Sequence, residues 1–343
     1  MSTMASQPVL EASLLTDSAS KLFTVVLVVG GFCAVMLAIF FIAERAPGRF
    51  QRPLAIFICL TPAVLLVLIG LVIPAIRTML LSLHGPDPRG PGAAYVGIKN
   101  YKWAITDNAT QDTLIRTVLW LIFVPLAATI LGLTVALLVD RMKYQAFPKA
   151  MIFMPTAISF VGAAVIWKYV YNYTDPKQSQ IGLLSQIVIK LGWKNPPNWL
   201  LTSTGLLNTF LLMVIMIWIQ TGFAMVVLSA ALKAIPDEIV EAARMDGATG
   251  FKLFRTVQLP MIRTTMIVVV TTIMIATLKV FDIVYTMTGG QFDTDVLSNA
   301  MYNQVFTQFN IGRGSALAVI LFLAVLPLVV YNILQMRKDR TER

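Results

Sequence analysis

The stretch Glu241-Ala242-Ala243-Arg244-Met245-Asp246-Gly247, followed by Val257-Gln258-Leu259-Pro260, lies in one of the few long polar gaps of a very apolar chain. Pro236 suits the first turn of a helix, where a missing N–H costs nothing. Asp246-Gly247 stops that helix, because glycine readily takes the left-handed conformation that ends helices. A second short helix follows and is expected to end at Leu259-Pro260. The stretch therefore predicts two short helices joined by a turn, neither long enough to cross a bilayer.

The composition is that of a polytopic membrane protein. Of the 343 residues, 57% are hydrophobic and 13% are charged, and apolar runs near the length that crosses a bilayer as a helix recur along the chain. The runs are continuous and do not alternate, so they predict an all-α membrane protein and not a barrel. In a membrane protein the positions of the basic residues, which give the net charge of +10, indicate the orientation in the membrane. No nucleic acid is expected as a partner.

Seven apolar runs are expected to span the membrane. Their bounds are 22–43, 54–83, 113–139, 150–171, 206–232, 264–285 and 316–336. The predicted organisation is a flexible N-terminus at 1–21, a first transmembrane helix with a basic loop at 22–53, a main transmembrane domain at 54–336 that contains the polar hairpin at 233–264, and a basic tail at 337–343.

The distribution of basic residues predicts which side of the membrane each loop faces. Four segments that share one side, at 44–53, 140–150, 233–265 and 336–343, hold 15 lysines and arginines, whereas the segments on the other side hold 7. Cytoplasmic loops carry the excess of basic residues in membrane proteins. The polar hairpin and the C-terminus are therefore predicted to be cytoplasmic, and the N-terminus to lie outside.

The sequence lacks the parts of a catalytic centre. It has no GxxxxGK[ST] phosphate-binding loop, so the chain by itself is expected to bind no ATP. His84 is the single histidine and cannot hold a metal alone, while Cys33 and Cys59 fall inside apolar runs, as small buried hydrophobic residues do. An enzyme is disfavoured, and no cofactor or metal is expected on this chain.

Polar and aromatic residues inside the predicted spans are the candidates for substrate binding, because polar groups in lipid are costly without a partner or a purpose. Lys279 and Asp282 lie three residues apart on one predicted helical face, either as a self-neutralising pair or as a polar patch in a translocation cavity. For a single hydroxyl the commoner alternative is a bond to its own helix or to a neighbouring helix. Together such groups would suit an uncharged carbohydrate. The other candidates are Thr156, Trp218, Gln220, Thr221, Phe223, Thr277 and Tyr285.

The polar hairpin resembles a known motif. The spacing Glu-Ala-Ala, three residues, Gly, nine residues, an aliphatic residue, one residue and Leu-Pro is that of the EAA loop of ABC-importer permeases, with Val257 where isoleucine is usual. In that family the two helices fit a cleft on an ATPase and transmit its closure. The alternative is an ordinary helical hairpin between two spans. The resemblance assigns ATPase coupling to Glu241, Ala242, Ala243, Asp246, Gly247, Leu259 and Pro260.

Other elements resemble the sugar permeases of that family, of the maltose and α-glucoside type and like the larger subunit, though without its large periplasmic insertion. They are Gly97–Tyr101, Phe153–Pro155, Trp218–Phe223, Lys279–Tyr285, Met287–Gly290 and Gly312–Ala316. In maltose-type permeases the sugar binds midway through the membrane, on the helices that flank the EAA loop. Gln220 stands where their pattern has glycine, and 277–281 where it has an Asn-rich run, so individual sugar contacts do not carry over.

The resemblance implies a type I ABC-importer transmembrane domain, with a six-helix core and an added N-terminal helix, in a bacterial inner membrane. Its expected function is ATP-driven import of an oligosaccharide such as maltose or trehalose. The implied partners are a second homologous permease, two ATPase subunits that hold ATP and Mg, an extracytoplasmic sugar-binding protein and the lipid.

Two alternative functions stay open. One is a permease for another solute such as glycerol phosphate. Binding this anion should require several basic side chains in the membrane, whereas the spans offer chiefly Lys279, which lies close to Asp282 in the sequence. The other is a secondary transporter driven by an ion gradient, which would not copurify with an ATPase.

Overall fold

The computed structural model describes residues 60–88, 90, 94–174, 181–193, 195–201 and 206–341, together with scattered residues between 21 and 56. They belong to two compact units, Met1–Arg77 and Thr78–Arg343. The described residues form helices, and their one pairing of extended backbone is an isolated bridge between His84 and Tyr95. The all-α prediction is therefore confirmed. Most of the predicted first span, the basic loop after it and both cysteines lie outside the described residues.

Thirteen helices follow one another along the part of the chain that is described from residue 60 onward. They are α1 (Leu60–Leu81), α2 (Lys99–Thr106), α3 (Asn108–Val139), α4 (Ala146–Ala157), α5 (Phe160–Val170), α6 (Leu183–Lys190), α7 (Leu207–Lys233), α8 (Asp237–Met245), α9 (Gly250–Met261), α10 (Arg263–Leu278), α11 (Asp282–Met287), α12 (Leu297–Tyr302) and α13 (Ile311–Thr341). Helices α1, α3, α7 and α13 are each long and apolar enough to cross a membrane. The pairs α4–α5 and α9–α10 pass the same test only when the two helices of each pair are taken together, and each pair is bent at its break.

The predicted fourth span, at 150–171, is not one straight helix. Helices α4 and α5 meet at an angle of 105°. Pro155 lies in the tight 3₁₀ turn Met154–Ala157 that ends α4, where its missing N–H interrupts the helical bonding. Ser159 then caps α5, since its hydroxyl accepts a hydrogen bond from the Gly162 N–H at 3.1 Å. A proline followed by a serine cap thus starts a new helix in a new direction.

The predicted sixth span, at 264–285, is also wrong as a single helix. Helix α10 ends at Leu278, three residues intervene, and α11 begins at Asp282. The intervening carbonyl of Val280 accepts a hydrogen bond from the Ser298 hydroxyl at 2.9 Å, which satisfies a backbone group that the helix end leaves open. A side chain from a later element therefore stabilises this break, and no local helix breaker marks it in the sequence.

The loops predicted at 84–112, 172–205 and 287–312 also contain helices, namely α2, α6 and α12. Helix α12 continues into a π-helical turn, Asn303–Thr307. The core of the 78–343 unit lies where α3 packs along α7 and against α10. Trp120, Met216 and Ile273, one from each of these three helices, are fully buried there. The two helices that flank the polar hairpin, α7 and α10, thus belong to the same packed core.

Candidate functional site: the EAA hairpin and the helix break

The polar hairpin forms the two helices that its sequence predicts. Helix α8 ends at Met245, and Gly247 follows with φ of +80°. The Gly247 N–H donates to the Arg244 carbonyl at 3.0 Å and the Ala248 N–H donates to the Ala243 carbonyl at 2.9 Å. These are the two hydrogen bonds of a Schellman motif, which needs a left-handed residue at this position. The stop at Gly247 is therefore confirmed in its geometry.

The second helix ends one residue beyond its predicted end. Leu259-Pro260 does not end α9, which continues to Met261 and meets α10 at an angle of 72°. A π-helical turn, Phe254–Gln258, closes with the Leu259 N–H bonded to the Phe254 carbonyl. Pro260 then falls in the first turn of the last α-helical segment, where its missing N–H is tolerated.

The hairpin exposes large apolar side chains although its surroundings are polar. Met245 is 88% exposed and Phe251 is 73% exposed. They lie on the two helices of the hairpin, α8 and α9, and exposed apolar side chains that share a patch mark a surface that binds another protein or a membrane. Among the predicted coupling residues, Glu241, Ala242, Asp246, Gly247 and Pro260 are exposed, and Ala243 and Leu259 are half-buried.

An ion-pair network that sequence reasoning missed lies under the hairpin. Asp140, at the end of α3, pairs with Lys149 of α4 at 2.5 Å and with Lys233 at the end of α7 at 3.7 Å. The Ser229 hydroxyl donates to both Asp140 oxygens at 2.9 Å, and Gln145 accepts from Lys233 at 2.6 Å. The network joins three helix ends beside the point where α7 enters the hairpin, so it fixes the end of α7 from which the hairpin continues.

Asp140→Ala is expected to loosen this junction. Removing the carboxylate leaves Lys149, whose side chain is 20% exposed, without its charge partner, and an unpaired, largely buried cation is strongly unfavourable. We expect the free energy of unfolding to fall by about 2 kcal/mol. This loss is small for a buried ion pair, because Lys233, the second partner of Asp140, is half-exposed. The measurement is thermal unfolding of the purified protein in detergent. Asp112→Ala is the control: Asp112 is exposed and lies 3.9 Å from Arg116, so it should change little, and equal effects would contradict the prediction.

Lys279 and Asp282 do not share a helical face. Lys279 lies in the break, just after α10, and Asp282 is the first residue of α11. Within the described part of the chain neither forms an ion pair with the other or with any third residue. Lys279 is exposed and Asp282 is half-buried. The self-neutralising pair is therefore not observed, and both charges remain available to a bound molecule.

The three candidate threonines bond to their own helices. The hydroxyls donate to carbonyls three or four residues earlier: Thr156 to Phe153 at 2.6 Å, Thr221 to Ile217 at 2.7 Å and Thr277 to Ile273 at 2.7 Å. Thr277 is also fully buried, so its side chain serves packing. Thr156 and Thr221 are not buried and keep acceptor capacity for a ligand.

The aromatic candidates fall into two groups. Trp218 packs edge-on against Trp167 with ring centroids 5.8 Å apart, and Phe223 also packs on the core, while Gln220 is half-buried. Tyr285, by contrast, is exposed and lies in a ladder of rings beside the break. The ladder consists of Phe281, Tyr285, Tyr302 and Phe306, with successive ring centroids 4.8–5.3 Å apart.

At the end of the core opposite the hairpin, a strained segment is fixed by polar contacts. Phe292 and Asp293 have positive φ angles of 55° and 59°, which non-glycine residues rarely adopt. Arg116 donates to the Asp293 carboxylate at 2.8 Å, and the Thr209 hydroxyl donates to the Asp293 carbonyl at 2.7 Å. These bonds from α3 and α7 offset the backbone strain and hold the segment on the helix ends.

Next to this segment, burial raises the pKa of Asp295 to about 6, although hydrogen bonds from Asn299 and the Val296 N–H and the charge of Arg116 lower it. A raised pKa means that the folded state holds a proton between pH 4 and 6 that the unfolded state releases. Stability therefore falls as pH rises through this window and stays reduced above it.

Asp295→Asn should remove that pH dependence, because an amide does not ionise. Between pH 4 and pH 7, we expect the free energy of unfolding of the variant to rise by about 2 kcal/mol relative to that of the native protein. The check is the difference between the two melting temperatures across this range. A difference that stays constant with pH would contradict the prediction.

A family model described as "Binding-protein-dependent transport system inner membrane component" matches residues 27–343. The chain belongs to this family. It is accordingly a multi-pass membrane protein and a permease component of an ABC importer.

Two curated relatives match this permease over most of their length. It is 46% identical over 286 residues to the alpha-glucoside transport system permease protein AglF of Rhizobium meliloti (strain 1021), covering 83% of each chain. It is 46% identical over 273 residues to the osmoprotective compounds uptake permease protein GgtC of Synechocystis sp., covering 80% of this chain and 95% of that protein.

A solved structure has the same fold. The crystal structure of a bacterial ABC transporter involved in the import of the acidic polysaccharide alginate matches with a TM-score of 0.70 at 19% identity, covering 84% of this permease and 97% of that chain. The overall helical fold is therefore one already seen in an ABC importer.

Proposed function

We propose that this permease forms half of the translocation pathway of an ATP-driven importer for an oligosaccharide, an α-glucoside such as maltose or trehalose. The observation that carries the proposal is the 46% identity over 83% of the chain to a permease named for α-glucoside transport. The neutral character of the candidate groups supports it. Lys279 and Asp282 are one cation and one anion, and their neighbours are amides, hydroxyls and aromatic rings.

The importer would need four further subunits or proteins. We expect a second homologous permease, two ATPase subunits that carry ATP and Mg, and an extracytoplasmic sugar-binding protein, the last in keeping with the family's description. The excess of basic residues favours a cytoplasmic hairpin and C-terminus and an external N-terminus, in a bacterial inner membrane. The exposed Met245 and Phe251 support the hairpin as the surface that docks on an ATPase.

Transport would follow alternating access. Closure of the two ATPases on ATP moves the docked hairpins together, and hydrolysis releases them. The hairpin is continuous with α7 before it and α10 after it. Asp140 ties the α7 end to α3 and α4, so displacement of the hairpin would be passed to the packed helices as a unit. The candidate sugar residues lie on these same helices and at the break that follows α10.

The sugar itself would meet two kinds of group. Asp282, Gln220 and Lys279 can exchange hydrogen bonds with hydroxyls, and the exposed ring of Tyr285 can lie against the apolar face of a sugar ring. The break at 279–281 supports this role, because backbone that leaves a helix at membrane depth is tolerated chiefly where it lines a cavity or lies within protein.

The proposed function is tested by the ATPase activity of the complex that copurifies with the tagged permease. Hydrolysis is measured with the binding protein present and with maltose, trehalose or glycerol 3-phosphate added in turn. Stimulation by the two sugars is expected. Stimulation by glycerol 3-phosphate alone would show that the substrate is not an oligosaccharide. A preparation that contains no ATPase subunit would favour a secondary transporter.

Tyr285→Ala is expected to lower the maximal rate of maltose uptake about fivefold, since an aromatic contact contributes roughly 1 kcal/mol. The half-saturating sugar concentration should change less, because the binding protein sets it. Uptake is measured in cells or proteoliposomes at saturating binding protein. Tyr331→Ala is the matched control, since Tyr331 is equally exposed on α13. A similar loss in both variants would remove Tyr285 from the pathway.

A further inference from the structure

A cavity of about 280 Å³ lies where α2, α12 and the first turns of α3 and α13 meet. None of its lining residues belongs to the hairpin or to the predicted substrate-binding set. Its volume is close to the lower limit for small-molecule pockets, about 300 Å³. Its polar and aromatic lining includes Trp103, Asp107, Asp295, Gln304, Gln308 and Arg313.

Gln304 contributes an unpaired polar group to the wall of this cavity. Its side chain lies in the cavity wall and the residue is only 8% exposed. Its Oε1 atom is buried and accepts no hydrogen bond from any group in the described part of the chain. A buried acceptor of this kind is unfavourable unless a ligand or water donates to it.

Two carboxylates in the same wall also have free acceptor capacity. Asp107 receives the Thr110 N–H at 3.0 Å and the Thr110 hydroxyl at 2.8 Å, both on Oδ2. Asp295 receives the Val296 N–H at 3.0 Å and the Asn299 amide at 2.7 Å, both on Oδ1. In each case the described hydrogen bonds fall on a single oxygen, and the second oxygen is left for another donor.

The donors and the apolar part of the wall come from α2 and α13. The Arg313 guanidinium lies over the Trp103 ring at 4.4 Å and forms no ion pair within the described residues. Leu317 is fully buried and forms part of the apolar wall. The cavity therefore combines three acceptors, one planar cationic donor and an apolar surface.

This chemistry favours a hydroxyl-rich molecule over an anion or an apolar molecule. Two carboxylates against one guanidinium disfavour an anion, and the unpaired acceptor of Gln304 disfavours an apolar molecule. Hydroxyl groups donate and accept at the same atom, so they match both the carboxylates and Arg313. We propose that this cavity binds one glycosyl unit of a sugar, as a second subsite separate from the candidates on α7 and α11, with Gln304 and the two aspartates accepting hydrogen bonds from its hydroxyls. The inference rests on the proposed function in taking the sugar to be the transported one.

The experiment is protection of an engineered thiol in the assembled transporter without ATP. Cys33 and Cys59 are first changed to serine. Gln308→Cys then places a reactive thiol at an exposed position of the cavity wall, and Thr307→Cys places one on an exposed neighbour that does not line it. Maltose near ten times its dissociation constant should slow maleimide labelling of Gln308→Cys about tenfold and leave Thr307→Cys unaffected. Adding Gln304→Leu, or Gln304→Met if the first variant fails to assemble, should abolish the protection.

Three results would overturn the inference. They are no protection by maltose at any concentration, protection that persists without Gln304, and protection by methylammonium, a small cation that would pair with the two carboxylates, without protection by maltose. Sugar-stimulated ATPase activity, measured on the same thiol variants with the binding protein present, separates this inference from the proposed function. Stimulation without protection refutes the subsite alone. Protection of the thiol without stimulation of the ATPase supports a sugar site in the cavity and contradicts the proposed function in sugar import.

Discussion

Gly247→Arg is expected to reduce sugar uptake by more than tenfold while the membrane helices still fold. Gly247 has φ of +80°, and a Cβ added there would meet no atom within 4 Å, so the cost is conformational and not steric. For an L-residue the left-handed conformation costs about 1–2 kcal/mol, which is enough to destroy the Schellman turn but not the fold. Helix α8 would then lose its orientation relative to α9, and with it the surface for the ATPase. Uptake and copurification of the ATPase are the measurements.

Gly192 supplies a matched control for this prediction. It follows α6 with φ of +98° and open space around it, and it makes the same pair of backbone bonds, from the Gly192 and Trp193 N–H groups to Ile189 and Val188. Gly192→Arg therefore carries the same backbone strain outside the hairpin and should leave uptake nearly normal. Gly247→Asn should also retain uptake, because asparagine tolerates the left-handed region. Normal uptake by Gly247→Arg, or an equal loss in Gly192→Arg, would contradict a coupling role for the hairpin.

The hairpin could be predicted from the sequence because its signals are local. Pro236 and Gly247 act on their own backbone, and their effects do not depend on what packs nearby. The long spans could be predicted for a similar reason, since a continuous apolar run of sufficient length specifies a helix in lipid by itself. Helix α9 ends one residue beyond Leu259-Pro260, and its π-helical turn, Phe254–Gln258, has no sequence signal of comparable strength.

The break after α10 could not be predicted, because a distant residue stabilises it. Residues 279–281 contain neither glycine nor proline, and Ser298, which bonds the Val280 carbonyl, lies in a segment whose sequence predicts a loop. The spacing of Lys279 and Asp282 therefore suggested one helical face where the structure has two helices. The same limit applies to Asp140, whose partner Ser229 is 89 residues away, and to Gln304, whose missing partner is visible only when the burial of its side chain is known.

The candidate threonines illustrate the opposite case. A hydroxyl three or four residues after a carbonyl on a helix has a partner within its own turn, and all three took that partner. This outcome follows from local geometry and was the commoner alternative at the level of sequence. Which aromatic residues are exposed, in contrast, depended on how α7 and α11 pack, so the difference between Trp218 and Tyr285 required the structure.

Gly222→Ala is expected to destabilise the permease strongly, although it adds only one methyl group. An added Cβ would lie 2.5 Å from the Ile152 carbonyl oxygen and 3.0 Å from the Phe153 Cα atom, where α7 crosses α4. Both neighbours are backbone atoms, and Lys149 ties the same helix to Asp140, so α4 cannot easily withdraw. Overpacking of this kind costs roughly 1–3 kcal/mol or more. Thermal unfolding of the purified permease in detergent measures the loss.

Gly70→Ala is the control for that methyl group. Gly70 lies within α1, and a Cβ there would meet nothing within 4 Å, so the change should be neutral or stabilising by up to about 1 kcal/mol, since alanine is the better helix former. If the two variants unfold at the same temperature, α4 and α7 do not cross in close contact. The close contact between α4 and α7 matters for function, because α4 belongs to the bent fourth span and α7 leads into the hairpin. A permease that accepts Gly222→Ala would have to transmit hairpin movement by another route.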